Sequence, residues 1–247
     1  MEALETRHLA ELRFAEVTRA LRALSSAYVE RRHTGATRGA LDSAGKRAAF
    51  AMFYAPLHLL TVQGILAALV GDGTTDAPQR IFDIGCGTGV GGAAWALHHG
   101  GAPAIIGIDR HPWAVHEARW NYAQLGLSGR ATAGDVTHLP RVTPRDAIVV
   151  AYVLNELSDE VRRATLEALE AAAVAGSPVL VVEPISRQVA PWWDAAAARL
   201  AAVGFRADEW RLALSLPPLV QKFDQATGLN HRVVTARSLF HAGRRSA

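Results

Sequence analysis

Cysteine is almost missing from this chain, because its 247 residues include a single one, Cys86. One thiol excludes a disulfide framework and any structural zinc or iron–sulfur site built from several thiolates, and it favours a reducing, cytoplasmic setting. A strong charge excess is also missing, since 26 basic against 23 acidic residues leave a net charge of +3. That balance permits an anionic partner without requiring one. Half of the residues are apolar, which excludes disordered and collagen-like classes.

A long uncharged run raises the question of a membrane span. Residues 49–70 hold no charged side chain and are long enough to cross a bilayer. The run also contains Pro56, His58, Thr61 and Gly64, which are costly or disruptive in hydrocarbon. We therefore expect a buried pair of helices and no membrane partner. The first five residues carry two acids and no apolar core, so we expect no secretory signal there.

The N-terminal part of the chain is polar, and its apolar positions lie near helical spacing. Residues 31–39 break that spacing and are predicted to form a loop. Six basic residues against two acids between positions 22 and 47 give this part a local charge of +4. The segment could contact the phosphates of an RNA, or it could be a solvated helix face and loop. Its basic residues are Arg22, Arg31, Arg32, Arg38, Lys46 and Arg47.

From residue 76 onward, short apolar runs alternate with helical stretches. Apolar strands alternating with helices are typical of a parallel sheet that is covered on both faces. Two further strand-like runs near the C-terminus are joined by a connection bearing Pro, Gly and Asn, which predicts an antiparallel hairpin. We place an N-terminal helical segment at 1–75 and the second domain at 76–247, with the boundary near 71–79. The predicted strands are 81–84, 104–109, 130–135, 146–153, 177–183, 208–216 and 231–240.

The first of these strands leads into a glycine-rich turn, residues 83–89 with the sequence DIGCGTG, and a helix follows. Glycines permit a sharp turn and leave no side chain between the backbone and a ligand. The helix N-terminus adds free N–H groups that suit an anionic group. A dinucleotide-binding G-x-G-x-x-G motif is excluded, because Val90 stands where its third glycine belongs. A tight turn with a purely structural role remains the alternative.

This D-x-G-x-G-x-G pattern resembles motif I of the class I S-adenosylmethionine-dependent methyltransferases. The resemblance implies a Rossmann-like α/β fold: a seven-stranded, mostly parallel sheet with an antiparallel last strand, helices on both faces and an N-terminal helical extension. It implies S-adenosylmethionine as cofactor, with an acid after the second strand on the ribose hydroxyls and an acid and an apolar residue after the third at the adenine. The implied cofactor residues are Asp83, Gly85, Cys86, Gly87, Gly89, Asp109, Arg110, Asp135, Val136 and Ala151.

Three of these residues also have a simpler interpretation. Asp109 could be the N-cap of the helix that begins at Pro112, and Asp135 could be a turn residue. Cys86 could be a small apolar filler, because no base for a thiol nucleophile lies nearby in the sequence.

The residues at the end of the fourth strand resemble one particular branch of these methyltransferases. The N/D-P-P-Y motif of enzymes that methylate adenine or glutamine nitrogens is absent there, and the chain instead reads YVLNEL at 152–157. That run, the Glu183-Pro184 pair and the helical block ending at Pro56 resemble the methyltransferase-like family associated with assembly of the small ribosomal subunit. Two departures stand against this branch: the chain lacks the cysteine cluster that usually binds an iron–sulfur cluster, and Ile185 replaces a glycine.

Methyl transfer is an in-line displacement in which the protein mainly fixes the distance and angle of attack. An alcohol or protonated amine acceptor also needs a general base near the end of strand four or five. The candidate catalytic residues are Tyr152, Asn155 and Glu156, with Glu183 as a further acid that could instead bond loop amides. The histidines show no metal-ligand spacing, so we expect no metal site.

Two classes of function remain open. The first is an enzyme that methylates ribosomal RNA or a small metabolite. The second is an assembly protein that keeps the fold without turnover. In a small-molecule enzyme the N-terminal helices would act as a lid over the cofactor, and with an RNA target the basic N-terminal segment would bind the target.

Overall fold

The computed structural model describes residues 1–30, 41–71, 77–137 and 141–243. The predicted loop at 31–39 and most of the predicted boundary at 71–79 lie outside these ranges. The described residues form a seven-stranded sheet in the order β3-β2-β1-β4-β5-β7-β6, in which β7 runs antiparallel to both of its neighbours. The predicted topology is therefore confirmed. The strands are β1 (Arg80–Ile84), β2 (Ala104–Asp109), β3 (Gly129–Ala133), β4 (Asp146–Ala151), β5 (Val179–Glu183), β6 (Arg206–Ala213) and β7 (Val233–His241).

Helices cover both faces of this sheet. The described helices are α1 (Glu2–His8), α2 (Phe14–Glu30), α3 (Ala44–Ala49), α4 (Ala55–Val70), α5 (Val90–His98), α6 (Pro112–Gln124), α7 (Asp159–Val174), α8 (Trp193–Ala201) and α9 (Pro218–Thr227). One core cluster joins α4, α5 and α6 to the sheet, and a second joins α7 and α8 to its other face. The apolar residues of β1, β4 and β5 supply both clusters, which explains why these strands are apolar on both faces.

The uncharged run forms one continuous helix instead of the expected pair. A π-helical turn over Phe50–Tyr54 joins α3 to α4, and the backbone N–H of Ala55 bonds to the carbonyl of Phe50. Pro56 has no N–H to donate one turn back, and the π turn just before it accommodates that loss. The resulting helix, Ala44–Val70, is long and apolar enough to cross a membrane by length and composition, yet half of its most apolar window is buried within the molecule.

The C-terminal connection also differs from the prediction. β6 and β7 pair antiparallel as expected, but helix α9 lies between them where a turn was predicted. Pro218 opens this helix and Gly228 follows its end, which is the usual placement of proline and glycine at helix termini. The ring of Phe223 stacks on that of Phe14 at a centroid distance of 4.5 Å. The N-terminal helices and α9 thereby share a third core cluster.

Candidate active site

The glycine turn occupies the carboxyl end of β1, at the point where β1 and β4 lead to opposite halves of the sheet. Ligands of open α/β sheets bind at such a point. The backbone N–H groups of Gly85 and Cys86 donate to the carbonyl of Ile108, at 2.8 and 3.0 Å. The turn is therefore bonded to β2 as well as to β1. Gly87 has a φ of +52°, a conformation that favours glycine.

The three glycines of the motif have different surroundings. A Cβ at Gly85 would lie 2.5 Å from Cγ2 of Val153, and one at Gly89 would lie 2.6 Å from the ring of Tyr122. A Cβ at Gly87 would meet no heavy atom of the described residues within 4 Å. Gly85 and Gly89 are thus needed for packing, whereas the surface above Gly87 is open to a ligand.

Asp109 ends β2 directly beside Gly87. Its Oδ2 accepts the backbone N–H of Gly87 at 2.8 Å, and its Oδ1 accepts that of His111 at 2.8 Å. The N-cap of α6 is His111, so Asp109 is not the simple N-cap of the alternative interpretation. Each carboxylate oxygen retains a further acceptor site, which is what a vicinal diol requires. Arg110, the next residue, is exposed.

Asp83 and Cys86 point away from the open surface. The buried Asp83 accepts the backbone N–H of Gly92 at 2.7 Å, and burial together with the charge of Asp109 raises its pKa to about 7. The thiol of Cys86 faces Gly107, where a Cβ would lie 2.8 Å from Sγ. Burial, with the charges of Asp83 and Asp109, raises the pKa of this thiol well above its usual range. Both residues therefore shape the turn, and neither side chain lines the surface above Gly87.

Helix α6 supports the turn from behind, through residues that the sequence reasoning missed. The ring of Tyr122 packs against two glycines, because a Cβ at Gly89 or Gly129 would collide with it, and its hydroxyl oxygen lies 3.0 Å from the position of a Cβ at Gly107. The side-chain amide of Asn121 donates to the carbonyl of Thr88 at 2.9 Å. The row of glycines facing one aromatic ring is visible in the sequence only once the strand pairing is known.

Three buried polar atoms around the turn have no hydrogen-bond partner among the described residues: Thr88 Oγ1, His111 Nδ1 and Tyr122 Oη. Thr88 follows Gly87 in the sequence and His111 lies two residues after Asp109, so both are close in sequence to the Gly87–Asp109 hydrogen bond. Buried polar groups are rarely left unpaired, so these atoms suit a site that a polar ligand completes.

The end of β3 contributes the third predicted group. The backbone N–H of Gly134 donates to the carbonyl of Asp109 at 3.1 Å, which sets Asp135 one residue from that contact. Asp135 is exposed, and its Oδ1 accepts the backbone N–H of Thr137 at 2.8 Å. Val136 is half-buried and packs against the core cluster beneath the sheet.

Buried side chains fill the carboxyl ends of β4 and β5. Glu183 is fully buried, and its Oε1 accepts the backbone N–H groups of Val153 at 3.1 Å and Leu154 at 2.7 Å. Its Oε2 accepts the side-chain amide of Asn155, whose Oδ1 accepts the indole N–H of Trp192 at 3.1 Å. Burial, opposed by the Leu154 hydrogen bond, raises the pKa of Glu183 to about 8. Glu183 therefore bonds loop amides, which is the structural role offered above as the alternative to a catalytic one.

The candidate catalytic residues lie in this same region. Ala151 ends β4, and Asn155 and Glu156 belong to a 3₁₀ turn over Leu154–Glu156. Tyr152 has a φ of +60°, a conformation that no other non-glycine residue adopts in the described part of the chain. Its hydroxyl bonds to Thr61, and burial raises its pKa above the ordinary value. The catalytic roles of Tyr152, Asn155 and Glu156 stay predictions.

Helix α1 is fastened to α6, the helix that follows Asp109. Glu117 is fully buried. Its carboxylate accepts a hydrogen bond from Nε–H of Arg7 at 3.1 Å and contacts Nε2 of His8 at 2.6 Å. The guanidinium of Arg7 also lies 4.7 Å from the ring centroid of Trp120. Burial raises the pKa of Glu117 and the two basic partners lower it, with a net value below the ordinary one.

The described ranges contain no group of three or more His, Cys, Asp or Glu side chains that could hold a metal ion. What the site offers is an open backbone surface at a glycine turn, a carboxylate beside it and a second carboxylate after β3. These groups fit a nucleoside. The fold and the site together define a protein of the Rossmann-like class with an open surface at its glycine turn.

Comparisons with known proteins agree with this class. Residues 81–176 match a family model described as a methyltransferase domain. Over 91 residues the chain is 36% identical to a protein of Erwinia tasmaniensis named ribosomal protein L11 methyltransferase. That alignment covers 37% of this chain and 29% of the relative, so it spans less than a third of the relative's length.

Solved structures match over nearly the whole chain. One is the plantazolicin methyltransferase BpumL in complex with SAH, with a TM-score of 0.53, 13% identity, and coverage of 98% of this chain and 100% of that one. Another is magnesium protoporphyrin IX methyltransferase (ChlM) from Synechocystis PCC 6803 with bound SAM, with a TM-score of 0.52, 16% identity, and coverage of 92% and 97%. At such identities the likeness shows the fold alone. The methyltransferase-domain match is confined to residues 81–176, which span β1 to the end of α7.

Proposed function

We propose that this chain binds S-adenosylmethionine at the glycine turn and catalyses transfer of its methyl group. The observation that most directly supports this proposal is the open surface above Gly87 beside the Asp109 carboxylate. When bound, the cofactor supplies a methyl group activated by a sulfonium. In this proposal Asp109 accepts the ribose hydroxyls, and Asp135 with Val136 holds the adenine. Thr88 and His111 offer polar atoms at the same edge.

Ligand-induced stabilisation tests the cofactor proposal directly. A ligand at 100 times its dissociation constant should raise the free energy of unfolding by about 2.7 kcal/mol. We expect this rise with S-adenosylmethionine and S-adenosylhomocysteine, and none with nicotinamide dinucleotides. The measurement is a thermal shift followed by titration calorimetry. Stabilisation by a nicotinamide dinucleotide alone would contradict the proposal.

A glycine substitution tests the location of the site. Gly87→Val fills the open surface and should raise the dissociation constant of S-adenosylhomocysteine by about 100-fold or more, or about 2.7 kcal/mol. Gly100→Val is the matched control, because Gly100 also has a positive φ, +67°, and open space around it. The control carries a similar backbone strain at a distance from the turn, so its affinity should be unchanged. Equal losses of affinity in the two variants would contradict the placement of the cofactor against Gly87.

For the methyl acceptor we propose a ribosomal context as the first to test, either ribosomal RNA or the small subunit during assembly. The name of the Erwinia relative, which concerns a ribosomal protein, supports the ribosomal context only, and the basic residues between positions 22 and 47 support RNA within it. Tritium transfer from S-adenosylmethionine to purified small subunits is the measurement. Binding to RNA should weaken with salt, with a log–log slope of roughly one per phosphate contact. Salt-independent activity on small molecules would favour a metabolite instead.

A non-catalytic assembly protein is the remaining alternative. Such a protein would bind the cofactor and the subunit but would transfer no label.

The single cysteine, buried as a free thiol, supports our proposal of a cytoplasmic location, where thiols stay reduced.

A further inference from the structure

Four aromatic rings form a continuous row from the π-helical turn to the end of β4. This aromatic stripe consists of Phe50, Tyr54, His58 and Tyr152, and each ring is half-buried. The ring centroids are 6.0 Å apart for Phe50 and Tyr54 and 6.1 Å apart for Tyr54 and His58. The rings of His58 and Tyr152 stack at 3.9 Å with an interplanar angle of 18°. The stripe thus links the N-terminal helix to the sheet.

The stripe ends beside the glycine turn. Tyr152 is followed by Val153, whose side chain packs against the Cα of Gly85 so closely that a Cβ there would collide with it. The φ of +60° at Tyr152 is strained for a side chain of this size. Strained residues and π turns both occur preferentially at functional sites. The stripe therefore lies where an acceptor would approach a cofactor on the turn.

His58 has the one side chain of the stripe whose polar atoms lack a partner in the described ranges. The hydroxyl of Tyr152 bonds to Thr61 and that of Tyr54 bonds to Ser25. No hydrogen bond joins either imidazole nitrogen of His58 to a described residue. Burial, reinforced by the charge of His231, lowers the pKa of His58 to about 4. A neutral imidazole presents one lone pair and one N–H, so His58 can accept a hydrogen bond from a ligand.

We propose that the aromatic stripe binds the methyl acceptor as an uncharged aromatic hydroxyl compound, and that His58 accepts the hydrogen bond of its hydroxyl and then its proton. This inference rests on the proposed cofactor binding and methyl transfer, and for the acceptor it favours the small-metabolite alternative over the ribosomal context. The acceptor ring packs along the stripe, where neighbouring rings favour a planar apolar partner. As the hydroxyl oxygen bonds to the methyl carbon, the proton of the O–H group passes to His58. The carbon–sulfur bond breaks, the sulfonium sulfur keeps its electron pair, and water later removes the proton from His58.

The basicity of His58 distinguishes a hydroxyl from an amine acceptor. A hydroxyl oxygen keeps a lone pair while it is still protonated, so a weak base suffices once the bond to carbon is forming. A protonated amine has no free pair and must lose its proton beforehand. A group with a pKa of about 4 cannot remove a proton from an ammonium whose pKa is near ~10. The stripe thus suits an aromatic alcohol better than an aliphatic amine.

Paired probes of equal shape test this inference without requiring turnover. Phenol and toluene differ in replacing a hydroxyl with a methyl group, so their affinity ratio isolates the hydrogen bond. In protein loaded with S-adenosylhomocysteine, phenol should bind about three- to tenfold more tightly than toluene. Phenol should also shift the ¹⁵N resonances of the His58 ring in NMR spectra. Equal affinities, absence of phenol binding, or an unmoved His58 resonance would overturn the inference.

Three variants complete the design. His58→Phe keeps a ring on Tyr152 but loses the lone pair, so the preference for phenol should disappear. His58→Gln restores an amide acceptor and should recover part of the preference. His99→Phe changes a histidine at the end of α5 and should leave the preference for phenol intact. A preference for phenol that survives in His58→Phe would overturn the inference. Failure of S-adenosylhomocysteine to bind the wild type would instead contradict the proposed function.

Discussion

At the carboxyl ends of β1 and β2 the edge of the sheet is formed by main chain, whereas at the ends of β4 and β5 it is filled by buried side chains. The first half consists of the glycine turn and the Asp109 carboxylate that bonds it. In the second half Glu183 organises a turn through two backbone amides and Asn155. Damage to the first half should therefore reduce cofactor affinity, and damage to the second half should reduce stability.

Removal of the Glu183 carboxylate should have the largest effect on stability. Glu183→Ala leaves the amides of Val153 and Leu154 and the side chain of Asn155 without their buried acceptor. We expect the free energy of unfolding to fall by about 3 kcal/mol, measured by urea denaturation. Glu167→Ala breaks an exposed ion pair with Arg163 and should cost less than about 0.5 kcal/mol. Similar losses in both variants would show that the Glu183 network is not structural.

Loss of the Asp109 carboxylate should act on the other half. Asp109→Ala should raise the dissociation constant of S-adenosylhomocysteine by about 10- to 100-fold, because hydrogen bonds to a charged group contribute about 1.5–3 kcal/mol. Asp135→Ala should have a smaller effect, since Asp135 is exposed. Titration calorimetry provides both values. An unchanged affinity in Asp109→Ala would remove the ribose role from this residue.

The raised pKa of Glu183 predicts a pH dependence of stability. Its folded-state pKa of about 8 lies above the unfolded value of about 4.3. Between these values the folded carboxyl holds a proton that the unfolded one has released. This group therefore makes the free energy of unfolding fall as pH rises through that window, by at most ~1.4 kcal/mol per pH unit. Glu183→Gln should flatten the curve, and a wild-type-minus-variant difference independent of pH would contradict this.

The smallest effect is expected behind the glycine turn. The hydroxyl of Tyr122 is buried and has no hydrogen-bond partner among the described residues, while its ring packs against Gly89 and Gly129. Tyr122→Phe should therefore be neutral or stabilising by up to about 1 kcal/mol, because it removes an unpaired polar group and keeps the ring. Tyr122→Leu tests the packing and should destabilise. A marked loss of stability in Tyr122→Phe would indicate that the hydroxyl is paired in solution.

The main-chain half was predictable because its pattern is local. Spacing along one strand–turn–helix unit was enough to locate Gly87, and the resemblance to motif I then pointed to Asp109 at the end of the next strand. The side-chain half depends on contacts between distant segments, such as His58 on α4 stacking against Tyr152 after β4. No sequence periodicity encodes that pairing. Helix α9 was missed for a different reason, since its proline and glycine resemble turn residues as much as helix ends.

Hydrogen–deuterium exchange on addition of S-adenosylmethionine tests the central claim most directly. Bound cofactor should slow exchange at the amides of residues 85–89 and 109–111 and leave those of β6 and β7 unchanged. Unaltered exchange at the glycine turn under saturating cofactor, or slowing confined to other strands, would contradict the assignment of this turn as the cofactor site.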